Sequence, residues 1–125
     1  MADQIKKLLI IEDDELITQM YKASLAQSKF EVKWESDGET GWNTLQTYTP
    51  DLVILDIMLP KFSGLEILAK IKADPRLKNI PVIILSSLAD DGDKQKALSM
   101  GAKAYWVKNE VNMVDFETMI NKAIA

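Results

Sequence analysis

The chain has 125 residues, enough for one ordinary domain and too few for a second folded unit beside it. With 47% apolar residues, 27% charged residues and a net charge of −4, it reads as a globular protein without the basic face that nucleic acid requires. It has no cysteine and no histidine, which excludes disulfides, thiolate chemistry, the usual zinc ligand and a phosphohistidine of its own.

Any chemistry therefore falls to carboxylates, hydroxyls and lysines. No apolar run approaches the ~20 residues that span a bilayer. The opening MADQIKK is polar, with no signal-peptide core behind it. The expectation is a cytoplasmic protein with no membrane segment.

The first strand is predicted at Leu8–Ile11, running into Glu12-Asp13-Asp14. Asp14 can cap a helix in which Leu16, Ile17, Met20, Tyr21 and Leu25 recur at helical spacing. Glu31–Trp34 alternates polar and apolar residues, as an edge strand can, and Asp37-Gly38 opens a second helix with Trp42 and Leu45 inward. Leu52–Leu55 is a continuous apolar strand ending at Asp56, and Ser63 can cap a third helix carrying Leu65, Leu68 and Ile71. Val82–Leu85 leads into Ser86-Ser87, and a fourth helix spans roughly Asp90 to Met100 before Gly101. Ala104–Val107 ends at Lys108, and a fifth helix buries Met113, Phe116 and Ile120. Pro50, Pro75 and Pro81 fall between elements.

This βα alternation, repeated five times with right-handed crossovers, predicts an α/β fold: a doubly wound five-stranded parallel sheet with helices on both faces. The alternating second strand belongs at an edge and the continuous runs inside, which fits the flavodoxin-like order 2-1-3-4-5. No repeat, low-complexity segment or linker interrupts the chain, so residues 1–125 are expected to form a single domain.

In open α/β sheets, ligands bind beyond the carboxyl ends of the strands. There the sequence places Glu12-Asp13-Asp14, Asp56, Ser86-Ser87 and Lys108. Clustered carboxylates resist ionising together unless a cation joins them, and Mg2+ suits a few oxygen ligands with retained waters. Lys108 and Ser86 would complement a tetrahedral anion, and an aspartate so placed can form an aspartyl phosphate. Asp14 is better explained as a helix cap. Asp56 gains its weight from the conjunction with Glu12, Asp13, Ser86 and Lys108.

The pieces LLIIEDDEL, DLVILDIMLPKFSG, KNIPVIILSS and GAKAYWVK, in this order and spacing, resemble the receiver domain of two-component response regulators over essentially the whole length, in a single-domain, chemotaxis-regulator-like form. The resemblance implies that Asp56 is the phosphoacceptor. It makes Glu12, Asp13, Asp56 and the backbone carbonyl of Met58 the Mg2+ site, with Lys108 contacting the phosphoryl group. Ser86 takes the place of the switch hydroxyl and Tyr105 that of the aromatic which reports the change. Pro60 and Gly64 fit the loop after the phosphorylation site, and Met58 and Leu88 occupy positions flanking an attacking water. Two departures stand out: Asn109 follows Lys108 where the family usually has proline, often through a cis peptide, and Ser87 replaces the usual alanine.

The function so implied is a switch that takes phosphate from a sensor histidine kinase or phosphotransfer protein and changes its helix 4, strand 5 and helix 5 face toward a downstream protein. It is not an enzyme in the ordinary sense, since it catalyses only its own phosphorylation and dephosphorylation. The expected state is a monomer or a weak phosphorylation-dependent dimer, with no direct nucleic-acid binding. A phosphatase of the haloacid-dehalogenase type would need a second aspartate where Met58 stands. The alternatives are a non-phosphorylated pseudo-receiver and a receiver fragment of a longer regulator. Trp34 and Trp42 are read as packing residues, Trp106 as either a packing or a partner-facing residue, and Lys94-Gln95-Lys96 as a solvated helix face.

Overall fold

The computed structural model describes residues 6–88 and 90–124. Five strands, β1 (Lys7–Ile11), β2 (Glu31–Glu35), β3 (Leu52–Leu55), β4 (Val82–Ser86) and β5 (Ala104–Val107), alternate with five helices. These are α1 (Glu15–Leu25), α2 (Gly38–Leu45), α3 (Gly64–Ala73), α4 (Asp91–Ser99) and α5 (Phe116–Ile124). All strand pairs are parallel, in the order β2-β1-β3-β4-β5 expected from the sequence. No described helix is long and apolar enough to cross a membrane.

Side chains alternate across a strand, so each central strand feeds two cores. Leu9, Ile11, Val53, Leu55, Val82 and Ile84 meet Leu45 of α2, Ile67, Leu68 and Ile71 of α3, and Ala97 of α4. Leu8, Ile10, Leu52, Ile54, Ile83 and Leu85 meet Tyr21 and Leu25 of α1 and Phe116 and Ile120 of α5. Each fully buried Leu, Ile or Phe contributes roughly 1.5–3 kcal/mol of transfer free energy, which explains why the central runs are continuous. β2 shows no fully buried residue, as an edge strand allows.

Asp14, Asp37, Ser63 and Asp90 each accept a backbone N–H in the first turn of the helix they precede, holding donors that otherwise lack partners. The apolar stripe of α1 is wider than its buried face. Leu16 is 72% exposed and Met20 48%, because only Ile17, Tyr21 and Leu25 point at the sheet. Met113 lies in a 3-10 turn ahead of α5 and is half-buried, so the fifth helix buries Phe116 and Ile120 without it. The expected strands lengthen by one residue at β1, β2 and β4.

Trp34 and Trp42 pack half-buried against the two cores, with the Lys22 and Lys70 ammoniums over their rings. Trp106 packs against the α1/α5 core from the edge strand β5, while Tyr105 and Val107 face the other side. Lys94, Gln95 and Lys96 are solvent-exposed, and Ala97 is the only buried residue of α4. After β5 the chain makes a 3-10 turn over Lys108–Glu110, and every peptide among the described residues is trans, including Lys108–Asn109.

Candidate functional site

The strand register assembles the site. Ile11 pairs with Leu55, so Glu12 and Asp56, each one residue further on, emerge side by side. Ser86 pairs with Val107, which sets Lys108 just beyond it. Glu12 and Asp56 are only 4% and 5% exposed, whereas Asp13 is open to solvent.

Carboxylate oxygens of Glu12, Asp13 and Asp56 lie within 4.8 Å of one another. The Lys108 ammonium enters the cluster, with Nζ 2.6 Å from Asp56 Oδ2 and 2.7 Å from Glu12 Oε1. The remaining oxygens face backbone: Met58 N–H donates to Asp56 Oδ1 at 3.2 Å, and Asp14 N–H donates to Glu12 Oε2 at 3.0 Å. The Asp14 carboxylate is occupied in capping α1, as the sequence indicates. Gly64 lets α3 approach the end of β3, since a Cβ there would sit 1.9 Å from the Asp56 carbonyl oxygen.

Burial pushes the Glu12 carboxyl above the ordinary value, more than the Lys108 ammonium and the Asp14 N–H pull it down. Burial also works against the Lys108 charge. Its hydrogen bonds to Asp56 and Glu12 outweigh that cost and hold the ammonium pKa above the usual lysine value.

Ser86 is fully buried, and its Oγ accepts the Leu88 N–H at 3.1 Å. The Tyr105 hydroxyl donates to the Leu88 carbonyl at 2.7 Å, with its ring largely buried. Residue 88 thus connects Ser86 and Tyr105 through its two backbone groups. Burial raises the Tyr105 phenol, offset in part by the Ser86 side chain.

Of the residues singled out in the sequence, Glu12, Asp13, Asp56 and Lys108 converge in one cluster. Ser86 and Tyr105 meet at Leu88, and Met58 contributes its N–H to Asp56. Two features escaped the sequence. The Lys108–Glu12 ion pair follows from strand adjacency, and the Leu88 link is made by backbone atoms, which carry no residue-type signal.

Three hard oxygen donors around one ammonium leave net negative charge, a donor set that fits a small divalent cation such as Mg2+. Residues 8–121 match the family model of the response regulator receiver domain. The chain belongs to that family. It is 36% identical over 113 residues to the gliding motility regulatory protein of Myxococcus xanthus, covering 90% of this chain and 14% of that protein. It is 33% identical over 100 residues to the polar-differentiation response regulator DivK of Brucella anthropi, covering 80% of this chain and 81% of that one. The crystal structure of the Mn2+-bound form of response regulator Rcp1 superposes with a TM-score of 0.81 at 29% identity, over 94% of this chain and 90% of that one. Receiver domains are phosphoacceptor switches of two-component signalling, and they bind Mg2+ or Mn2+ in an acidic pocket.

Proposed function

We propose that this receiver domain, as a single unit over residues 1–125, takes a phosphoryl group from a phosphohistidine of a sensor histidine kinase or phosphotransfer protein onto Asp56. The observation that carries the reading is the buried Asp56 carboxylate, held by Lys108 beside Glu12 and Asp13. In the transfer the nitrogen–phosphorus bond of the donor breaks as an Asp56 oxygen–phosphorus bond forms, and the imidazole leaves.

The protein's share is positioning and charge neutralisation. Lys108 sits where it can follow the phosphoryl oxygens while staying protonated. Glu12, Asp13, Asp56 and the Met58 carbonyl would hold Mg2+, which supplies positive charge against the transferring group. Once Asp56 carries the acyl phosphate, Ser86 turns its hydroxyl toward the new phosphate and releases Leu88, and Tyr105 follows through the Leu88 carbonyl. The face formed by α4, β5 and α5 then presents a different surface to a downstream protein.

The test is a small phosphodonor plus Mg2+, with the modified residue located by mass spectrometry. One phosphoryl group is expected on Asp56 in the wild type, and none in Asp56→Asn or Asp13→Ala. Wild-type protein that takes no phosphate from any donor, or takes it elsewhere, overturns the reading.

A further inference from the structure

We propose that Gly38, the first residue of α2, is a positioning residue for the metal pocket, because it clamps the β3–α3 loop from outside. The inference rests on the reading above, in which Asp56 and the Met58 carbonyl face the metal.

The loop of residues 57–63 leaves Asp56 and carries Met58, whose N–H is bonded to Asp56 Oδ1. Its internal ties are short-range: Leu59 N–H to the Ile57 carbonyl at 3.2 Å, and Gly64 N–H to the same carbonyl at 2.8 Å. Such ties shape the loop but do not anchor its tip to the rest of the domain. Gly38 does, since its N–H donates to the Pro60 carbonyl at 3.0 Å.

The approach leaves no room for a side chain. A Cβ on Gly38 would lie 2.1 Å from the Phe62 carbonyl oxygen and 2.8 Å from the Phe62 carbonyl carbon. These are backbone atoms, which cannot swing aside as the end of a side chain can. Close approach, not a left-handed backbone, is what demands glycine here, for Gly38 shows no positive φ.

The neighbouring contacts reinforce the clamp. Glu39 of α2 pairs with Lys61 at 3.8 Å, and the Lys70 ammonium lies 5.3 Å from the Trp42 ring centroid and 5.0 Å from that of Phe62. Lys61 sits at φ 73°, a left-handed conformation that a non-glycine residue adopts only when its surroundings hold it there. A methyl group at Gly38 would drive Phe62 and Pro60 away from α2 and carry Met58 with them. Residues that orient metal ligands indirectly typically cost about 10–100-fold in affinity when changed.

The experiment is an NMR titration with Mg2+ alone on wild type, Gly38→Ala and Leu45→Ala. Leu45→Ala is the control, because it opens a cavity at the far end of the same helix and leaves the Gly38–Pro60 bond and the close approach to Phe62 in place. Gly38→Ala is expected to raise the Mg2+ Kd by about tenfold and to shift the Met58 and Leu59 amide signals before metal is added. Leu45→Ala is expected to lower the melting temperature with the Mg2+ affinity intact. Gly38→Ala binding as wild type does, or Leu45→Ala weakening binding equally, overturns the inference alone. Wild-type protein that binds no Mg2+ overturns the metal reading and this inference with it. Should Gly38→Ala fail to fold, amide exchange in the wild type decides: saturating Mg2+ should slow exchange at Gly38 N–H, and an unchanged rate overturns the proposal.

Discussion

The Lys108 ammonium stands 2.6 Å from Asp56 Oδ2, joining residues 52 apart in sequence, and it is the one cation within salt-bridge distance of Asp56 among the described residues. Removing it strands two buried carboxylates against each other. Breaking a buried pair in this way costs roughly 3–5 kcal/mol. Lys108→Met should therefore lower the metal-free unfolding free energy by an amount in that range, and added Mg2+ should restore part of it. Urea melts with and without Mg2+ measure both effects; a variant as stable as wild type without metal would show that the pair contributes nothing net.

Tyr105 predicts how stability changes in alkali. The folded chain holds its phenolic proton more tightly than the unfolded chain, because the ring is buried. Above the ordinary value of 10.0 the unfolded state loses that proton first, so stability falls as pH rises toward the folded pKa. Tyr105→Phe removes this contribution. Its stability should decline less steeply over the same window, the difference being at most ~1.4 kcal/mol per pH unit. The lost bond to Leu88 adds an offset of about 1 kcal/mol that does not change the slope. Parallel wild-type and mutant curves above pH 10 would refute the assignment.

Ser86 tests the switch. Ser86→Ala should leave Asp56 open to phosphorylation, since the hydroxyl is bonded to Leu88 and not to the carboxylate cluster. The conformational response should weaken. Trp106, half-buried on β5 one residue after Tyr105, is the reporter, and its fluorescence or indole NMR signal should change on phosphorylation in wild type and less in the mutant. Equal responses in both proteins would remove Ser86 from the switch.

If Asp56 is phosphorylated as proposed, Met58 and Leu88 should set the lifetime of that state. Met58 is 63% exposed and lines a hollow with Asp13, Leu59 and Pro60, while Leu88 packs half-buried on the α2/α3/α4 core. Neither side chain can hydrogen-bond and orient a water, so self-dephosphorylation should be slow. Replacing Met58 with Asn and Leu88 with Glu should speed phosphate loss by on the order of tenfold, below the roughly hundredfold or more of a well-placed catalytic group. Met58→Asn should carry the larger part, because Met58 lies at the open side. Unchanged or slower decay in the double variant would defeat the shielding idea.

The sequence by itself determined the alternation of strands and helices, the edge position of β2, and the polar residues at four strand ends. Those signals are local: an apolar run, a helical period and a capping carboxylate are each written within a few residues. The tertiary structure alone decided which strand ends became neighbours and how their atoms met. Only the register of Ile11 with Leu55 puts Glu12 beside Asp56, and only the resulting cleft lets Lys108 reach both. The same holds for the exposed side of α1, where Leu16 and Met20 share the helical spacing of the buried residues but face solvent, because periodicity specifies a stripe and not its width. The Leu88 bridge and the Gly38 clamp are further from view. The Leu88 backbone joins the Ser86 and Tyr105 hydroxyls and the Gly38 N–H meets the Pro60 carbonyl, and because backbone groups are common to almost every residue, only the folded chain shows which of them take part.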